Sequence, residues 1–94
     1  MLIVMATIRA QPAHAETLHR VMTTLALRSR GEPGCSAYRV FRGSDEPHVF
    51  VTYEQWASAQ DEQRHLAAAH VAEAFRTAAA LLSAPPDIRH FVEI

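Results

Sequence analysis

A single cysteine, Cys35, and no lysine at all stand among these 94 residues, and what the chain lacks closes off whole classes of protein. One thiol makes neither a disulfide framework nor a cysteine metal cluster, so a reducing cytoplasm is the expected location. Cys35 itself reads as a small strand residue after a turn rather than a reactive thiol. Nine arginines against ten acids give a net charge of −1, with no basic cluster to neutralise a row of phosphates, and nucleic acid is excluded as a partner. The apolar run from Leu2 to Ile8 is too short to cross a bilayer and lacks the basic flank and small-residue cleavage site of a signal peptide. No membrane partner is therefore expected.

What is present is ordinary for a globular chain: with 49% hydrophobic and 20% charged residues there is enough apolar material for one small core. The length fits one domain, residues 1–94, with no internal repeat. Residues 2 to 10 alternate as a first strand with apolar groups on both faces. Pro12 suits the first position of a helix in which His14, Leu18, Val21, Met22 and Leu25 recur at helical spacing, with Gly31 as its left-handed terminator. Glu32-Pro33-Gly34 predicts a type II turn into a strand over Cys35 to Arg42. The loop Gly43 to Pro47 then leads into a strand over His48 to Trp56, rich in valine and aromatics. Ser58 and Asp61 mark a helix start, and the helical segment runs to about Leu82 with a break near Ala69. Pro85-Pro86 stops it, and Ile88, His90, Val92 and Ile94 alternate as a last strand.

The order strand, helix, strand, strand, helix, strand is the split arrangement of ferredoxin-like α+β domains. Helices would cover one face of the sheet. The other face would stay wet in a monomer, so a homodimer burying sheet against sheet is expected.

Glu32-Pro33-Gly34-Cys35, Tyr38, Glu54-x-Trp56 and His65-Leu66-x-x-x-His70-x-x-x-x-Phe75 together resemble the antibiotic biosynthesis monooxygenase domain, especially its small quinol monooxygenase-like members. The resemblance covers nearly the whole chain. It implies a dimeric ferredoxin-like α/β barrel with a pocket between sheet and helices in each protomer, and oxygenation of aromatic polyketides or quinols without metal, flavin or any other cofactor. The implied partners are a small aromatic substrate and dioxygen. The haem-degrading branch of the family is excluded, since the places of its asparagine, tryptophan and axial histidine hold Thr7, His65 and Phe75. No phosphate-cradling loop supports the branch that isomerises a phosphorylated sugar.

The chemistry has its own logic, because a deprotonated phenol or hydroquinone can itself reduce dioxygen once a base and an anion-stabilising group are supplied. His65 and His70 are the candidate catalytic bases. Trp56, Tyr53, Phe75, Tyr38 and Met22 are the candidate substrate-binding residues. Five residues at about 100° each put the two histidines roughly 140° apart on one helix, so they share a face only if the helix breaks between them. That spacing, with no carboxylate to complete a ligand set, counts against a metal. Glu54 is expected to pair with Arg39 or Arg42 on the adjacent strand. His14, His48 and His90 read as structural or exposed. A ligand-binding domain without catalysis, or an isomerase acting on a small carbonyl compound, remain the competing functions.

Overall fold

The computed structural model describes residues 1–94. Strand β1 spans Leu2–Arg9, helix α1 Ala15–Ser29, strands β2 and β3 Cys35–Arg42 and Val49–Trp56, helices α2 and α3 Ala59–Leu66 and Ala69–Ala79, and strand β4 Asp87–Phe91. All strand pairs are antiparallel, in the order β2-β3-β1-β4. This is the ferredoxin-like order, with the two strands that begin and end the chain adjacent.

The register sets up the site. Tyr38 lies opposite Glu54, Glu54 opposite Val4, and Val4 opposite His90, so one row of side chains crosses the helix-facing side of the sheet. Apolar neighbours from the same face, Ala6, Ile8 and Phe50, pack against Leu18, Met22 and Leu25 of α1 and Val71 and Ala78 of α3. Burying each larger side chain here contributes roughly 1.5–3 kcal/mol, and Leu18 and Phe50 are completely enclosed. No helix is long and apolar enough to cross a membrane.

Several boundaries differ from the sequence reading, each for a local reason. Pro12–His14 form a 3-10 turn, and α1 starts only at Ala15. Gly31 does not take a left-handed conformation; instead the end of α1 tightens, with Gly31 N–H bonding to Arg28 and Glu32 N–H to Ser29. The left-handed residue is Gly34, with φ 80° and the Cys35 N–H bonded back to the Glu32 carbonyl at 3.2 Å, which is the type II turn the sequence predicts. A Cβ at Gly34 would lie 2.3 Å from the Asp61 carboxyl, so this turn also needs glycine in order to pack against the first turn of α2. Strand β4 stops at Phe91, and Val92 to Ile94 are exposed without regular structure.

The expected helix break is present: α2 ends at Leu66, Ala68 is extended (φ −68°, ψ 142°), and α3 restarts at Ala69.

Candidate active site

Between the sheet and the three helices lies a cavity of about 40 Å³. Its walls are mostly apolar: Val4, Ile8, Met22, Leu25 and Val71 inside, with Leu66, Phe75 and Ile88 partly exposed at the rim. That volume holds a few waters. An aromatic ring is larger, so binding one requires the rim side chains to move aside.

Five side chains put polar atoms into this apolar space: Tyr38, Thr52, Glu54, Glu62 and His65. β2 and β3 supply the first three because Tyr38, Thr52 and Glu54 share the inward parity. α2 supplies the other two. It is polar over most of its surface, and Glu62 and His65, three residues apart, are its only buried residues.

Glu54 accepts from Thr52 Oγ1 at 2.7 Å and from Trp56 Nε1 at 3.0 Å. Thr52 Oγ1 in turn accepts the Ala6 N–H at 3.1 Å, where the ladder between β1 and β3 is interrupted. Burial nonetheless holds the Glu54 carboxyl above its ordinary range, more strongly than those two donors pull it down. The expected arginine partner is absent. Arg39 lies opposite Tyr53 on the outer face, while Arg42 lies opposite Phe50, four residues along the strand, and pairs with Glu16 at 2.7 Å. Burial, then the nearby Glu54, raises the Tyr38 phenol far above its usual value. Tyr38 is thus a fixed donor, and its hydroxyl bonds to no other protein group.

His65 is 3% exposed, and its Nδ1 lies 2.6 Å from Glu32 Oε2. A carboxylate only accepts, so Nδ1 is the donor in this contact, and in the neutral ring that tautomer leaves the lone pair on Nε2. The ring packs on the Trp56 indole at 4.7 Å between centroids and on Tyr38 at 5.6 Å. Glu62 receives His90 Nε2 at 2.8 Å, linking a carboxylate inside the cavity to a half-exposed histidine on the edge strand.

Of the residues singled out from sequence, His65, Tyr38, Met22 and Phe75 line the cavity. Three do not. Trp56 is fully buried behind His65 and Glu54, so it supports the wall without forming it. Tyr53 has the opposite parity, faces the outer side of the sheet, and accepts from Gln55 Nε2. His70 lies behind His65, with ring centroids 6.4 Å apart, because α3 turns it toward Glu32 and α1. The sequence reading missed Glu62, whose i, i+3 relation to His65 was the available signal. It also missed Glu32, which no local pattern could join to His65 across 33 residues. His90, read as structural or exposed, is half-exposed, lies on the same inner row and reaches Glu62.

An α+β ferredoxin-like domain with an apolar cavity, a carboxylate-held histidine and two further buried carboxylates is the class that this geometry defines. The family model for antibiotic biosynthesis monooxygenase matches residues 1–77, and the chain belongs to that family. PA3566 from Pseudomonas aeruginosa is 33% identical, with a TM-score of 0.93 over 99% of this chain and 93% of that one. An antibiotic biosynthesis monooxygenase at 23% identity superposes with a TM-score of 0.95 over 100% and 99% of the two chains. Rv0793 from Mycobacterium tuberculosis, at 19%, superposes with 0.92 over 99% and 94%. These last two speak for the fold alone. No curated protein matches the chain.

Proposed function

We propose that this protein is a cofactor-independent monooxygenase that oxidises a small aromatic phenol, quinol or polyketide-like substrate with dioxygen, working as a cytoplasmic homodimer. Family membership supports the general class. The observation that carries the finer reading is His65: a buried imidazole at an apolar cavity, its Nδ1 fixed by Glu32 at 2.6 Å and its Nε2 without a protein partner.

In this reading Nε2 removes the acidic proton of the bound substrate, and Glu32 steadies the imidazolium that results. Tyr38 donates to the substrate oxygen as negative charge develops there. The anion gives an electron to dioxygen, and the radical pair joins into a carbon–oxygen bond. Loss of the second proton from that carbon then breaks the oxygen–oxygen bond. A ring CH2 and O2 become C=O and H2O, all four electrons coming from the substrate, so no external reductant is needed. The cavity walls keep bulk water from the anion.

Oxygen uptake and product formation over a panel of anthrones and hydroquinones test this. His65→Ala is expected to lower turnover about 10²–10⁴-fold, and His70→Ala much less, since His70 lies outside the cavity. Equal rates for wild type and a variant carrying both His65→Ala and His70→Ala would remove the oxygenase reading. Turnover under argon would make the protein an isomerase, and tight binding without turnover a ligand carrier.

A further inference from the structure

We propose that Glu32, His65 and His70 form a binding site for a divalent transition-metal ion, with zinc the best chemical match. Two features of the sequence spoke against such a site, the five-residue spacing of the histidines and the want of a carboxylate. The fold removes both. The break at Ala68 lets α3 bring His70 back beside His65, and the turn after α1 places Glu32 between them. One ligand atom from each residue lies within 4.8 Å of the other two. Glu32 Oε2 is 2.6 Å from His65 Nδ1 and 3.4 Å from His70 Nε2.

A tetrahedral ion with bonds of about 2.0–2.1 Å keeps its donors roughly 3.3 Å apart. The pair formed by Glu32 and His70 already meets that separation, and the pair formed by Glu32 and His65 must open by less than about 1 Å. Independently, His70 Nε2 is buried and has no hydrogen-bond partner. A buried ring nitrogen left so is costly, and it lies 3.4 Å from the shared carboxylate oxygen without the alignment of a hydrogen bond. Two imidazoles and one carboxylate are a zinc donor set that leaves a fourth position open. A trapped water could also meet the nitrogen, and metal titration separates the two.

Occupancy has a consequence that rests on the proposed function. An ion on Nδ1 takes the place of its proton, so the neutral His65 ring carries its one remaining proton on Nε2 and cannot serve as base. Metal would then act as a reversible off-switch. The site itself is tested without substrate, so failure of the oxygenase reading and failure of the metal site are distinguishable.

The experiment is calorimetric titration of untagged, chelator-stripped protein with zinc chloride, alongside thermal unfolding of the wild type with and without zinc. The expected result is saturation at one ion per chain with a raised Tm, since an ion that binds only the folded chain stabilises it. His70→Ala and Glu32→Gln should each weaken binding at least ~10-fold, while His90→Ala leaves it unchanged. No saturable binding and no Tm shift in the wild type would overturn the site, whether or not any variant folds. So would affinity undiminished by His70→Ala.

Discussion

Glu54 occupies a position where a carboxylate loses most of its hydration and recovers only part of it. Two donors reach it, Thr52 and Trp56, and no arginine does. Its proton is therefore held more tightly in the folded chain than in the unfolded one. Between the ordinary carboxylate range and its raised folded value, the folded state binds more protons, so stability from this group falls as pH rises. It is fully present below the unfolded pKa and lost as pH passes the folded one. Glu54→Gln, which cannot ionise, should consequently gain stability relative to wild type as pH climbs from below the carboxylate range to neutrality. Urea unfolding at a series of pH values measures this, and a difference that stays flat with pH would show Glu54 to be unperturbed. The residues of the site were legible in proportion to how local their signals are. Parity along β3 puts Glu54 and Trp56 on one face and Tyr53 on the other, whereas the place of Tyr38 opposite Glu54 depends on a strand register that parity alone does not give. Glu32 had no local signal, since its meeting with His65 exists only after the turn and α2 have packed together.

The elements were readable wherever alternation or helical spacing ran for a full segment, as in β1, β3 and α1. The ends were less so, because they depend on where backbone groups find partners. Strand β4 stops at Phe91, the residue opposite Ile3 near the start of β1, although the alternation of apolar residues continues to Ile94. The break between α2 and α3 shapes the site most. Ala67 and Ala68 have no sequence feature that stops a helix, yet Ala68 N–H bonds to the His65 carbonyl and the chain extends before α3 begins. Ala69 is the first residue of α3, is exposed, and donates no backbone hydrogen bond, and the residue before it already has the extended dihedrals that precede proline. Ala69→Pro should thus stabilise the protein by about 0.4–1 kcal/mol, by restricting the unfolded chain around a conformation the folded one already has. Denaturant unfolding reads the change. A loss of stability instead would mean that residues 66–69 do not hold this break in solution.

At the scale of the molecule, the sheet has one face fully used and one face waiting for cover. The helix-facing side carries the core and the cavity, while the outer side presents Met5, Phe41 and Phe91 exposed, with Val49, Val51 and Tyr53 half-exposed between them. Arg39, Arg89 and Asp87 interrupt this face, but so many apolar side chains on one side of a sheet are rarely left in water. Self-association is the simplest cover, since a twofold axis through this face would bury it in both copies at once. A stable interface takes about 800 Å² from each partner. The face also lies on the opposite side of the sheet from His65, so dimer formation leaves the cavity to each protomer. Val51 sits near its centre, paired with Phe41 on one side and Thr7 on the other. Its side chain is half-exposed in the single chain, so Val51→Glu should fold, whereas a carboxylate brought close to its own symmetry mate in a desolvated interface strongly opposes association. Sedimentation equilibrium at micromolar concentration is expected to give twice the chain mass for the wild type and the chain mass for Val51→Glu. A monomeric wild type would mean that the outer face stays in water, and a dimeric Val51→Glu that the two copies meet elsewhere.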